Sequence, residues 1–398
     1  MKKQNYIGAA ASVYLNYAVV GVATIFISQY RDFFIKAWNT SAAGLSMVLA
    51  GVGLGRILTI LLAGAVSDKI GRKKTLLIAL VCDILFLLGA AFARNIWVAG
   101  IAALFFGATN SFGDTAGYPA LADAFPNKTA TMNSLVKAAM QIMQLIFPFW
   151  VATFPNPHVT AFALIIIIAI DIFTTLKAAF APQDDSKPKK VTSDVISSDI
   201  KSAKKPSLAV DGVMIIALGF TLCFTFYIFS LYVPFFGSVV LHQSPATANQ
   251  LISWYSAASL ISVFITSAVV TKVKRLNLIL VYSTISTLGL LFMVLMPSLL
   301  SARLGAVAVG FFAAGGVWQV GLSVLTSYFP TGHGKFTSYY SFMAAICYFV
   351  APLVASFVIK NTVTSVLTVF WITAIITAIS VALVVVLLQR SRKFSIEG

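Results

Sequence analysis

Apolar runs of about twenty residues alternate with short polar breaks along nearly the whole chain. They fall at 7–29, 42–66, 75–93, 97–121, 133–154 and 159–181, then at 210–235, 247–270, 277–296, 304–326, 337–359 and 365–389. A bilayer core of roughly 30 Å needs about 20 apolar residues per helix. Lipid admits only helices and closed barrels, and runs this long and unbroken read as helices. Twelve membrane spans are predicted. The first run follows a Lys2–Lys3 start resembling that of a signal peptide, but it continues to about Ser28. That is too long for a cleaved segment, so it reads as a retained first span.

Only one polar stretch is long, PQDDSKPKKVTSDVISSDIKSAKKPSLA at 182–209. Mixed charge, Ser and Pro with few aromatics predict a linker. The organisation expected is a six-helix bundle over 1–181, a cytoplasmic linker over 182–209 and a second bundle over 210–398. Composition agrees: 59% of the 398 residues are hydrophobic and 10% charged, where soluble domains carry about 25% charge. A soluble protein is excluded.

A net charge of +16 raises the question of nucleic acid, and its placement answers it. With an even number of spans both termini share a side. On the other side lie only Arg31, Lys36, Arg94, Arg303 and Lys360, while Arg56, Lys137 and Lys177 fall inside spans. Every other basic residue is on the side of the termini, which the positive-inside rule makes cytoplasmic. The lipid bilayer explains the charge, and no nucleic-acid partner is expected. Cys82, Cys223 and Cys347 all lie in apolar runs, so neither a disulfide framework nor a metal site is suggested.

At an offset of 204 the halves partly match. ALADAFPNKTATMNS (120–134) falls on VLTSYFPTGHGKFTS (324–338), Phe125–Pro126 on Phe329–Pro330, Pro148 on Pro352 and Gly117 on Gly321. Two repeated halves joined by a linker form a transporter architecture, with the solute bound between them near the midplane. The stretch GAVSDKIGRKK (64–74), after the second span, resembles the G-x-x-x-D-x-x-G-R-[KR] signature of the major facilitator superfamily, with Gly64, Asp68, Gly71, Arg72 and Lys73 at its positions. The resemblance covers the whole chain. It implies an all-α integral membrane protein of two pseudo-symmetric six-helix bundles. It also implies a cytoplasmic gate in which Asp68 and Arg72 take part. Gly64 is expected to let the helix end approach a neighbour, and Gly71 to permit the tight turn. The second copy has Lys272 over Asp68.

Buried charge costs at least about 2.5–3.5 kcal/mol per residue, so it marks function or a pair. The candidates are Arg56, Asp83, Asp114, Lys137 and Asp171. Hairpin depth places Asp114 level with Lys137, and Arg56 level with Asp83; the second is expected as a structural pair. Asp171 has no evident partner. The superfamily resemblance implies that helices 1, 4, 7 and 10 line the cavity, which makes Asp114 the acid expected to carry a coupling proton, or else to form a static pair with Lys137. Asn110 and Tyr118 share its stripe; Lys137, Gln141 and Gln144 share one on helix five. The second half offers Tyr227, Trp318 and Gln319, with Phe224 and Tyr340. An apolar wall with few polar anchors suits a small organic solute.

Departures from family patterns narrow the class. QLIFPFWVA keeps Pro148 without the glycines of the drug-antiporter motif, ALFFGATNSF lacks that group's arginine, and PQDDSKPKK does not match the sugar-porter loop. Basic excess around the cavity favours an organic acid. The expected function is a proton-coupled secondary transporter of a small organic solute in the cytoplasmic membrane, acting as a monomer and without cofactor. The alternative is a proton-driven exporter of amphipathic toxic compounds. His158, His242 and His333 fall in loops, and neither a nucleophile constellation nor a G-x-x-x-x-G-K-[ST] loop is present. An enzyme or ATP-driven pump is not expected.

Overall fold

In a computed structural model, residues 6–182, 206–329 and 333–392 are described. Most of the linker expected at 182–209 lies outside these residues, as do Lys2, Lys3 and the side chains of His333 and Lys335. Among the described residues there is no strand, and twelve helices are long and apolar enough to cross a membrane. Spans 1 to 6 are Ile7–Gln29, Ala42–Ile70, Arg72–Phe92, Ile96–Ala124, Thr131–Thr153 and Pro157–Lys177. Spans 7 to 12 are Leu208–Val240, Pro245–Val269, Arg275–Leu295, Leu299–Tyr328, Phe336–Val358 and Val363–Ser391. A short helix, Arg31–Ala37, follows span 1 and was not expected. The face that carries residues 6 and 392 is called the terminal face below, and its opposite the far face.

Each even-numbered span starts at the far face with a short neutral side chain that accepts a backbone N–H: Ser41, Asn95, Asn156, Ser244, Ser298 and Thr362. These six caps satisfy part of the first turn's unpaired donors, and they do so without adding charge to the charge-poor face. At the terminal face the turn into span 3 is made instead by Gly71, whose φ of +90° is a backbone conformation that suits glycine.

Span 10, expected as one helix over 304–326, is broken. It runs Leu299–Val309, passes through a wide turn at Gly310–Ala314, and restarts as Val317–Tyr328 after Gly316 at φ +112°. A freed carbonyl needs a partner in lipid, and Ser262 of span 8 donates to the Phe311 carbonyl at 2.6 Å.

Close helix approach fixes the rest. A Cβ at Gly55 would collide with the Leu104 carbonyl oxygen, and one at Gly107 with that of Val52. Spans 2 and 4 therefore meet backbone to backbone, as small residues allow in membranes. Gly53 makes a similar contact with Tyr348–Phe349 of span 11, so span 2 is wedged between the two halves. Gly64 departs from expectation: nothing lies within 4 Å of a Cβ placed there, because it faces away from span 4, which Ser67 on the same helix reaches through the Thr115 carbonyl.

The buried apolar residues form three clusters. The largest joins both halves towards the far face, through Phe26, Phe34, Phe86, Phe229, Phe236 and Phe370 among others. Towards the terminal face it divides into a first-half cluster around Val13, Tyr17 and Leu121 and a separate second-half cluster around Leu218, Tyr282 and Tyr340. Hydrogen bonds between halves sit on the far side, from Asn249 to the Gln29 carbonyl and from Ser253 to the Leu145 carbonyl. The Arg31 guanidinium lies 4.4 Å over the Phe235 ring at the same face. Burial pulls the Arg31 pKa below its usual range, and Asp32 partly opposes this. The halves are thus sealed at the far face and apart at the terminal face.

Two glycine substitutions test this packing. Gly55→Val inserts bulk into a backbone contact, an overpacking cost of about 1–3 kcal/mol. It is expected to lower the melting temperature of the detergent-purified protein by several degrees. Gly64→Ala, in open space, is expected to leave it unchanged or slightly raised.

Candidate functional site

The seam of Gly51, Gly55 and Gly107 decides which charges meet. Arg56 follows Gly55 and is carried to span 4, where its Nη2 reaches Asp114 Oδ2 at 2.6 Å. Thr59 donates to Ser111 Oγ at 2.9 Å one turn further along the same contact. The pairing of Arg56 with Asp83 is therefore not formed. Depth was compatible with both acids, but the glycine contact turns Arg56 towards span 4. Asp83 is fully buried in span 3, and neither carboxylate oxygen has a hydrogen-bond partner among the described residues.

Asp114 is fully engaged on its own side. Its Oδ1 accepts from Tyr17 of span 1 at 2.7 Å, and Tyr17 packs against Tyr118 with ring centroids 5.5 Å apart. Tyr17 was missed in the sequence; in the fold it lies against Gly117, where a Cβ would be 3.1 Å from its ring. The static pair of Asp114 with Lys137 is not formed either. The Arg56 and Tyr17 contacts hold both Asp114 oxygens on the spans 1–2–4 side, away from span 5.

Lys137 meets no carboxylate among the described residues. Its Nζ lies 5.5 Å from the ring centroid of Phe226 on span 7, across the boundary between halves. Arg56 makes the corresponding crossing to Tyr348 of span 11, at 5.2 Å. Tyr227 of span 7 packs on Tyr348 with centroids 4.1 Å apart. Two first-half cations thus rest on aromatic faces of the second half, one on span 7 and one on span 11. Such contacts contribute about 0.5–2 kcal/mol each. Phe226 and Tyr348 were not singled out from the sequence, where nothing distinguishes them from ordinary packing aromatics.

The remaining predicted positions divide. Gln144 donates to the Gly21 carbonyl at 3.1 Å and pins span 5 to span 1. Gln141 is buried with its Oε1 unpartnered, and Asn16 of span 1 is buried with both amide atoms unpartnered, among the described residues. Asn110 bonds back to the Phe106 carbonyl of its own helix. Trp318, just past the break in span 10, donates to the Gly219 carbonyl at 3.0 Å and packs on Tyr340, so it ties spans 7, 10 and 11 together. Gln319 beside it is exposed.

At the terminal face Arg72 is buried, donating to Ser67 Oγ at 2.6 Å and to Asp68 at 3.1 Å, with Asp123 of span 4 at 3.9 Å. Arg275 in the second half donates to Ser327, the residue that falls on Asp123 at the 204 offset. Lys73 donates to the carbonyls of Leu176 and Ala178 at the end of span 6, where carbonyls lack partners within the helix. Asp171 has partners after all: Ser12 Oγ donates to its Oδ1 at 2.6 Å, with Thr174 and Thr175 alongside.

The Arg56–Asp114 pair is testable by a double-mutant cycle. The pair is partly buried, so removing one partner strands the other charge at a cost below the about 3–5 kcal/mol of a fully buried pair. Arg56→Ala is expected to destabilise more than the double variant Arg56→Ala/Asp114→Ala in thermal unfolding of the purified protein. A loss in the double variant equal to the sum of the separate Arg56→Ala and Asp114→Ala losses would mean the pair is not energetically coupled.

A family model of the Major Facilitator Superfamily matches residues 6–312 and 239–396. The inner membrane transport protein YdiN of Escherichia coli (strain K12) is 32% identical over 357 residues, covering 88% of this chain and 83% of YdiN. YdiM of the same strain is 29% identical over 399 residues, covering 98% and 96%. Among solved structures, a point mutant of the nucleoside transporter NupG gives a TM-score of 0.74 at 12% identity, covering 96% of this chain and 99% of NupG. A D-xylose–proton symporter gives 0.74 at 16% identity, covering 96% and 97%. At those identities the likeness to solved structures concerns the fold.

Proposed function

As a member of the major facilitator superfamily the chain is a transporter of small molecules and not an enzyme, and we propose that it carries an organic carboxylate across the bacterial cytoplasmic membrane together with protons. One observation carries the reading: in the middle of the membrane Asp114 is satisfied by Arg56 and Tyr17, while Lys137 has no counter-charge among the described residues. An ammonium held among aromatic rings in a low-dielectric site attracts an anion strongly. A solute carboxylate supplies the missing charge.

The proton enters through Asp114. The groups facing that carboxylate are Tyr17 from span 1, Arg56 from span 2 and Tyr118 from its own helix, with Tyr348 of span 11 beyond Arg56. Protonation neutralises Asp114 and releases Arg56 from its ion pair. The site then holds two unpaired cations and has greater affinity for an anion. Proton and anion binding reinforce one another, which is the thermodynamic requirement for symport. The distribution of basic residues supports termini in the cytoplasm, and on that orientation the terminal opening faces inward. Rocking of the halves about the Lys137–Asp114 level exposes the site alternately to each side, with the Gly71 turn and the Asp68–Arg72 pair at the inner gate.

The test begins with melting temperatures of the detergent-purified protein against acetate, succinate, benzoate, neutral sugars and lipophilic cations. A ligand of the folded state raises stability by RT ln(1 + [L]/Kd). Carboxylates are expected to raise the melting temperature of the wild type and not of Lys137→Ala. In proteoliposomes, Asp114→Asn is expected to lose acceleration of carboxylate uptake by an imposed proton gradient while retaining exchange. Stabilisation by lipophilic cations alone, abolished in Asp114→Asn, would overturn this reading in favour of an exporter of amphipathic compounds.

A further inference from the structure

The two cations at the boundary between the halves share one arrangement. Each lies over the face of an aromatic ring contributed by the opposite half, Lys137 over Phe226 and Arg56 over Tyr348. Phe226 precedes Tyr227 on span 7, and Tyr227 packs against Tyr348 on span 11. The two cation–ring contacts thus lie on neighbouring residues of spans 7 and 11, both at the boundary between the halves.

An ammonium seated on a ring marks where that ring turns its face towards the anion position. A carboxylate that takes up Lys137 is bonded to a body only one or two atoms away. That body would meet Phe226, whose ring face lies beneath the Lys137 ammonium. A flat π-system meets such a face in offset or edge-on packing, which contributes beyond the area buried. A flexible chain gains only the area and loses rotamer freedom on binding. Resting on the carboxylate reading above, we infer that the solute is a planar, ring-bearing carboxylate, and that Phe226 and Tyr348 are the residues that select for the ring.

The same geometry links recognition to movement. Both cation–π contacts join the halves at mid-membrane. A ring-bearing anion replaces the Lys137–Phe226 contact with an ion pair on one half and ring packing on the other, so the solute itself becomes the bridge. A short aliphatic acid takes Lys137 from Phe226 and returns nothing to the second half.

The experiment uses the full-length protein in detergent and compares benzoate, cyclohexanecarboxylate and hexanoate by the concentration that gives half-maximal rise in melting temperature. All three carry one carboxylate, and only benzoate is flat. Benzoate is expected to act at about three- to tenfold lower concentration than hexanoate, the range that aromatic packing supplies, with cyclohexanecarboxylate close to hexanoate. Phe226→Leu is expected to erase that preference while all three acids still act. Tyr348→Phe keeps the ring and is expected to keep the preference, whereas Tyr348→Leu reduces it. Melting temperatures without ligand identify any variant that fails to fold, and Phe226→Tyr then stands in as the variant that retains a face. Equal potency of the three acids, still abolished in Lys137→Ala, would overturn the ring assignment and leave the carboxylate reading standing. A benzoate preference that survives in both Phe226→Leu and Tyr348→Leu would overturn the role of these two residues. Absence of stabilisation by any of the three would bring down the carboxylate reading, and this inference with it.

Discussion

The ion pair between Arg56 and Asp114 is the interaction on which the arrangement of the first half depends. A guanidinium and a carboxylate at mid-membrane are tolerated only when they meet with good geometry. They meet because spans 2 and 4 touch backbone to backbone at Gly55 and Gly107. The glycine contact sets the distance, the pair sets the rotation of both helices, and Tyr17 extends the pair to span 1. Once Asp114 is held in this way Lys137 cannot share it, so the chemistry of the boundary between halves follows from packing within one half.

Much of the fold was legible from hydropathy alone. The twelve spans emerge near their expected positions because a bilayer imposes a length on every helix. The repeat was legible in Phe125–Pro126 and Phe329–Pro330; Asp123 and Ser327 correspond in that register and each meets an arginine of the turn after the second span of its half, though Arg72 falls one residue past Arg275. The break in span 10 was not legible, because two glycines in an apolar run are common in membrane helices and the serine that supports this break, Ser262, lies on another span.

The charges of the candidate site were legible as residues and not in their pairings. Arg56, Asp114 and Lys137 stand out as charges in an apolar sequence, and depth along a hairpin can be counted. Depth does not fix azimuth. Which way Arg56 points depends on where Gly55 lets a neighbour come close, and that neighbour is distant in sequence. Asp171 shows the same limit: its hydroxyl partner Ser12 comes from span 1, 159 residues away in the chain. Tyr17, Phe226 and Tyr348 could not be separated from the many aromatics that only fill space.

The division of the hydrophobic core has a further consequence. At the far face the two halves share one continuous body of interlocked phenyl rings, whereas at the terminal face each half already encloses its own. Parting the far face would expose aromatic surface to water, and the cost grows with area. Closing the terminal face asks only that two finished surfaces meet. On the proposed cycle, a solute that bridges the halves would have to offset that cost each time the far face parts.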